Sequence, residues 1–456
     1  MNERIDQGVD LPRRERQLLG RYTDVSGNMV RVVEDPSSSA LVTDYTFDTL
    51  GNLRKTAQGS QYRYFMHDSL GRLLYAKQVE QDANSNFSGS GYADPITSND
   101  QWSAKYVYDD NGNITSTTDA NNVSVSASYD ALNRIYLRDY SDSTPDVYFY
   151  YDGKYKDISD TTQTASGAVK GRATGIKTSV SKTNYTAFDL FGRPTAHEQI
   201  TDGTSYTTSY VYGLSGQLLE ETYPSGRVVK NTLNGNGELS QVQSRKNSSA
   251  GYWAYAKGFD YDKNGSLTKM QLGNGLWETY LYNNRQQVTQ IGLGVTDADT
   301  ALLKLEYGYN TTGHNDNNGA MLEQKITVPT VGGTSGFTAT QAYAYDALNR
   351  LTTATESISS TQTWKQEFSY DRYGNRNFVT GSGHTTTLGS CSADICNPTI
   401  STGTSRMTPT GYSYDPNGSL TANAAGERFT YDAENHQTEF FNASNSGSTP
   451  DATYSY

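Results

Sequence analysis

Aliphatic bulk is scarce in this chain. The hydrophobic set makes up 34% of 456 residues and mean hydropathy is −0.71, too polar for a thick core in a globular domain of this length. No apolar run reaches the ~18 residues a spanning helix needs, so the sequence carries no helical membrane span. Basic residues are also in deficit: 37 Lys and Arg against 49 Asp and Glu give a net charge of −12, and the charges are scattered. That excludes the basic stripe of a nucleic-acid surface and favours solubility.

Catalytic and metal motifs are missing as well. The five histidines (His67, His197, His314, His384 and His436) are dispersed and fall in no H-E-x-x-H or H-x-x-E-H pattern. No G-x-S-x-G elbow or G-x-x-x-x-G-K-[ST] loop occurs; Ser88-Gly89-Ser90-Gly91 has the wrong spacing for the former. No catalytic, cofactor-binding or metal-binding residue is therefore assigned. Arg13-Arg14-Glu15-Arg16 is followed by no apolar segment, so no signal peptide is visible. The two cysteines, Cys391 and Cys396, leave room for a local disulfide in an exported protein; two thiols alone cannot fill a structural zinc site. Free thiols, or a mixed site with His384, stay open.

What the chain has in quantity is Tyr, 36 residues, and Gly, 42 residues, and both belong to one repeated phrase. It runs aromatic, Asp, two variable residues, Gly or Asn, then usually Asn, Arg or Ser before an apolar residue. Its copies place Asp48 with Gly51, Asp109 with Gly112, Asp130 with Asn133, Asp189 with Gly192 and Asp262 with Gly265. They continue with Asp346 and Asn349, Asp371 and Gly374, Asp415 and Gly418, and Asp432 and Asn435. Asp opening a type I turn caps it with its side chain, and Gly or Asn three residues later accepts the left-handed backbone that closes a bulged hairpin. Recurrence at one turn position argues for local geometry rather than for the paired carboxylates of a glycosidase.

Before each turn the sequence alternates, as in Tyr106-Val107-Tyr108 and Tyr343-Ala344-Tyr345, the period of a strand with two unlike faces. Copies recur every ~20–25 residues, the length of one hairpin with short turns. Degenerate copies at His67, Tyr212, Tyr223, Asn236-Gly237 and Asn274-Gly275 fill the gaps. The fold class expected is all-β: repeated antiparallel hairpins, with rings on one face and a thin wall in place of a core. The organisation expected is an irregular lead-in over 1–40, with a degenerate turn at Asp24–Asn28, then a continuous array over 41–456 cut mid-repeat at Tyr454-Ser455-Tyr456. Such a piece exposes unpaired strand edges and is expected to oligomerise or aggregate.

The iterated Y-D-x-x-G-R/N-L phrase resembles the YD repeat of bacterial rearrangement-hotspot (RHS) proteins, found also in wall-associated proteins, the C component of insecticidal Tc toxins and the teneurins. The resemblance spans the array, 41–456. It implies a spiralling β-shell, here an incomplete segment, of a polymorphic toxin. It also implies an extracellular or cell-surface location, and as partners the remainder of the shell and an enclosed C-terminal effector. Asp415-Pro416-Asn417-Gly418 has the spelling of the family's self-cleaving aspartate but sits inside the repeat's own signature, so no catalytic residue carries over. The function expected is a non-enzymatic shell segment in bacterial competition. The alternative is an adhesin or carbohydrate-binding repeat protein in which faces such as Trp253, Trp277 and Trp364 stack on sugars, although these rings, with Trp102, are more often strand packing. A polysaccharide-acting enzyme is the third reading.

Overall fold

The computed structural model describes residues 19–34, 40–82, 98, 101–311, 316–381, 383–384 and 392–456. The chain is all-β: among the described residues the only helix is the single turn α1 (Ala393–Cys396), beside 35 strands. Twenty-eight strands, from β1 (Leu19–Thr23) to β30 (Arg376–Phe378), form one antiparallel meander in which each strand pairs with the next along the ribbon. The segment read as lead-in contributes to it. β1 pairs with β2 (Met29–Glu34), and β2 pairs with β3 (Leu41–Phe47).

The phrase sets the local geometry of the meander. Register shifts fall at the aromatic residue before the turn, as between Thr46 and Phe47, Val107 and Tyr108, Leu281 and Tyr282, and Ala344 and Tyr345. Each is a bulge, and the left-handed residue of the turn makes room for it. The strand faces differ as the alternation requires: Tyr106 and Tyr108 are half-buried while Val107 between them is exposed. Buried apolar side chains are strung out along the ribbon, among them Ala76, Phe188, Ile200, Val228, Ala339 and Phe368. The burial is that of a wall covered by rings.

The array is not one uninterrupted ladder. Between β11 (Val147–Tyr151) and β14 (Ala173–Lys177), which pair directly, a side hairpin of β12 (Lys154–Lys156) and β13 (Thr162–Thr164) lies over the sheet. Gly175 accommodates it, because a side chain there would meet Tyr155 Cβ at 2.9 Å. After β30 the phrase is absent until Tyr414, and the ladder stops with it. The chain resumes as a separate five-stranded sheet from β31 (Ser413–Tyr414) to β35 (Ala452–Thr453).

The ribbon curls through a full turn. Arg372, just after β29 (Thr361–Tyr370), donates to the Val42 carbonyl in β3. Twenty-five strands lie between these two points along the sheet, β3–β11 and β14–β29. At ~4.8 Å per strand they make ~120 Å of wall, the girth of a tube ~40 Å across between backbones.

Candidate functional site

Two features recur among the described residues: the clamps that join successive repeats, and the seam where the second turn of the ribbon lies on the first.

Each clamp begins with the turn. At Asp48 the backbone N–H donates to the Asn52 carbonyl (2.9 Å), and the Asp48 carbonyl accepts from the Gly51 N–H (3.1 Å). Oδ1 accepts from the Leu50 and Asn52 N–H groups at 2.9 and 2.8 Å, and Oδ2 from the Asn52 amide at 3.0 Å. In all nine copies the Asp Oδ1 accepts the N–H four residues on. The nine Gly or Asn positions have φ between +57° at Asn349 and +92° at Gly418. These bonds stabilise the ionised form: the Asn113 amide holds the Asp109 carboxyl below its usual value, and the Arg134 backbone N–H does the same for Asp130.

The residue after the turn and the aromatic before it then tie neighbouring repeats together. The Tyr108 hydroxyl donates to the Leu73 carbonyl one repeat back (2.9 Å), Tyr345 to Met321 (2.9 Å), Tyr370 to Leu351 (2.7 Å) and Tyr431 to Leu420 (2.8 Å). Burial pushes the Tyr108, Tyr151, Tyr261, Tyr345 and Tyr431 hydroxyls above the ordinary phenol value. In the forward direction Arg350 lies 4.7 Å over the Tyr370 ring and donates to the Asp371 carbonyl (2.9 Å), while Arg72 treats Tyr108 and Asp109 likewise. A copy with Tyr before the turn and Arg after it, as at Tyr345 and Arg350, thus contacts its neighbours on both sides.

Among the described residues several turns of this build escaped the sequence reading, at Asp119, Asp157, Asn283 and Asn423. Tyr282-Asn283-Asn284-Arg285-Gln286-Gln287 builds the same turn, with Asn283 Oδ1 accepting from the Arg285 and Gln287 N–H groups and Gln286 at φ +60°. Its signal was Tyr-Asn in place of Tyr-Asp, since an amide oxygen caps a turn as a carboxylate does.

The seam uses the variable residues of the last copies. The Tyr373 hydroxyl accepts from the Ser60 N–H (2.9 Å) and donates to the Gln58 carbonyl (3.0 Å). Buried Gln61 donates to the Thr402 carbonyl (3.2 Å) and Ser405 Oγ (2.9 Å). Arg406 grips the Glu80 carbonyl with Nε and Nη2 at 3.1 and 2.6 Å. Asn417 Oδ1 accepts from the Ala120 N–H (3.0 Å), and Asn121 donates to Asp415 (3.0 Å). Glu434 accepts from Arg138 (3.1 Å) and Tyr140 (2.5 Å), and the Ala433 N–H donates to Thr144 Oγ1 (2.9 Å). Burial, then the neighbouring Glu434, raises the Tyr140 hydroxyl far above the phenol range. Beyond this pair a cleft of about 670 Å³ opens between Thr178 and Val180 on one side and Tyr454 and Tyr456 on the other.

The remaining expected residues are spread out. Trp102 is fully buried, Trp277 and Trp364 are half-buried, and only Trp253 presents a broad face, at 66% exposure. Cys396 closes α1 and is not a free thiol; Cys391, its expected partner, lies outside the described residues, as does His314. His384 Nε2 bonds Glu367 at 2.8 Å. Asp415 and Pro416 form the turn that carries Asn417 into the seam. Among the described residues no cluster of His, Cys, Asp and Glu is set to hold a metal, and no helix is long and apolar enough to cross a membrane.

Residues 108–142 match the family model of the RHS repeat. No curated protein matches the chain in sequence. Solved structures match its fold. A TcdB2-TccC3-TEV structure aligns with TM-score 0.64 at 13% identity over 95% of this chain. A TcdB2-TccC3 structure gives 0.62 at 14% over 95%, and a Tc holotoxin pore of Photorhabdus luminescens gives 0.62 at 13% over 95%. The chain spans only 22–23% of the length of these matched chains.

Proposed function

We propose that this RHS/YD-repeat protein is a wall segment of a hollow shell that encloses or presents a C-terminal toxin or effector domain in competition between bacteria, and that the wall itself does no chemistry. The observation carrying the reading is the seam. A ribbon whose later turn is hydrogen-bonded to its own beginning across more than 280 residues of sequence is built to surround a space. Fold similarity to the TcdB2-TccC3 structures supports the same reading.

The size of the space favours a particular cargo. A compact 100-residue domain with a radius of gyration of ~13 Å is roughly 34 Å across, close to or above what a ~40 Å tube leaves once side chains line it. A partly unfolded chain fits such a lumen better than a folded enzyme. The partners are then the rest of the shell and the enclosed effector, and the site of action is outside the producing cell.

Electron cryomicroscopy of the natural gene product tests this. Hollow particles with weak, unfolded density inside the wall are expected. An open, flat sheet, or a lumen filled by the wall's own side chains, would sink the proposal.

A further inference from the structure

The copy at Tyr151 is a complete clamp with a segment spliced into it. The Tyr151 hydroxyl donates to the Ile135 carbonyl one repeat back (2.8 Å), Arg134 lies 4.4 Å over its ring, and the Asp152 N–H donates to the Arg172 carbonyl (3.0 Å). Asp152 Oδ1 accepts from the Gly171 N–H (2.7 Å), and Gly171 holds φ +77°. Tyr151-Asp152 and Val169-Lys170-Gly171-Arg172 are therefore two halves of one phrase, with residues 153–168 looped out between them. The turn closes without any of the loop.

The loop is the β12–β13 hairpin, and the wall holds it by its main chain. Three wall side chains donate to carbonyls of one extended strand: Thr174 Oγ1 to Lys154 (2.5 Å), Asn184 Nδ2 to Lys156 (2.8 Å) and Lys182 Nζ to Asp157 (2.6 Å). Thr174 and Asn184 are 0% and 1% exposed. Where β14 pairs with β15 (Ser181–Phe188), Gly175 stands opposite Asn184 and Lys177 opposite Lys182, and directly opposed residues share a face. Gly175 leaves room for Tyr155, and Lys177 and Lys182 take the Asp160 carboxylate at 2.8 and 3.2 Å. Bonds to carbonyls do not depend on the side chains of the strand they hold, as in strand addition to a sheet, where main-chain bonds give affinity and pockets give selectivity. The strip thus selects an extended backbone followed by an acid.

We infer that the strip from Thr174 to Asn184 is a binding site for an extended acidic peptide strand, that the side hairpin is its built-in occupant, and that a matching strand of another polypeptide displaces it. Tethering gives the hairpin an effective concentration in the ~mM range, so it closes the site to weak competitors. The site belongs to the face of the wall and stands whether or not the shell encloses a cargo.

Fluorescence anisotropy of a labelled peptide of residues 153–168, titrated with the full chain and with the same chain lacking 153–168, tests this. The deletion restores the unbroken phrase Tyr151-Asp152-Val169-Lys170-Gly171-Arg172, so the wall is expected to keep its circular dichroism. The deleted chain should bind the peptide saturably and at least ~10-fold more tightly than the intact chain, whose own hairpin competes. Asn184→Ala in the deleted chain should weaken binding about 3–10-fold. A D160N peptide should bind about 2–5-fold more weakly, with a shallower salt dependence. A K154S/T164S peptide, changed where the side chains are exposed, should bind as the parent does. A folded deleted chain that ignores the peptide, or binds it no more tightly than the intact chain does, would overturn the inference. If the deleted chain misfolds, hydrogen exchange on the intact chain decides. Hairpin amides are expected to exchange before those of β14 and β15; hairpin amides that exchange only when the whole wall opens would overturn it.

Discussion

The Tyr373 hydroxyl meets the Ser60 backbone N–H at 2.9 Å although 313 residues separate the two. One phenol oxygen there both accepts from Ser60 and donates to the Gln58 carbonyl, and so spans the joint between turns of the ribbon. Removing it with Tyr373→Phe takes away both bonds and is expected to lower stability by about 1–3 kcal/mol, the net worth of two hydrogen bonds between neutral groups. Arg372→Ala, which removes a charged donor from the Val42 carbonyl, should cost about 1.5–3 kcal/mol. Urea denaturation of both variants checks these sizes, and a loss below about 0.5 kcal/mol in either would contradict a seam held by these bonds.

Two glycines separate strain at a turn from contact across the seam. Gly112 and Gly418 share nearly the same backbone, φ +87° and +92°. A Cβ at Gly112 meets nothing within 4 Å, whereas at Gly418 it meets the Glu80 carbonyl oxygen at 2.5 Å. Gly112→Ala should therefore cost only the left-handed penalty of about 1–2 kcal/mol. Gly418→Ala should add overpacking of about 1–3 kcal/mol and expand the particle in small-angle X-ray scattering. Equal losses would mean that the seam yields freely at that point.

The phrase was legible because turn chemistry is local: Asp, Gly and Asn at fixed offsets specify the bulged hairpin wherever they occur, and the all-β ribbon follows from their iteration. The seam was not. Tyr373, Asn417 and Glu434 occupy the phrase's variable positions, where a sequence reading finds no rule. Their partners are chosen by how far the ribbon curls before it meets itself, a sum of small strand twists over twenty-five strands. The β12–β13 side hairpin hid for a related reason, since only Gly175 beneath Tyr155 signals it. Asn283 was missed by insisting on a carboxylate.

Asn349 supplies a third test. It holds φ +57° in place of the usual glycine, so Asn349→Gly should be neutral or slightly stabilising. Asn349→Ala should lose about 1 kcal/mol, because alanine has neither glycine's freedom nor asparagine's tolerance of the left-handed region. Thermal melts of the pair give the sign directly. A stabilising alanine would mean that the turn relaxes out of the left-handed region.

Acid should loosen the clamps. Asp109 and Asp130 have carboxyl values lowered by hydrogen bonds to their ionised forms. The stability they add is complete above the unfolded value, near 3.8, and is lost as pH falls through the lower folded value. Melting temperature should hold steady from neutral pH to about 5, then drop steeply below about 4. Replacing both residues by Asn should flatten that drop, since an amide can cap the turn without titrating; an unchanged acid slope would place the sensitivity elsewhere.

Alkali should act on the other half of the clamp, with the opposite sign. Burial raises the Tyr108, Tyr261, Tyr345 and Tyr431 hydroxyls above the ordinary value of 10.0. Each also donates its proton to a carbonyl one repeat back, a bond the phenolate cannot make. For a group whose folded value is raised, the added stability is full below the unfolded value and disappears as pH climbs through the folded one. Ultraviolet titration of the native protein should therefore show a block of tyrosines ionising above pH 10, together with loss of the β-sheet circular dichroism signal. If all the tyrosines ionised in one step near 10 while the sheet signal persisted, the hydroxyl-to-carbonyl bonds would not be holding neighbouring repeats together.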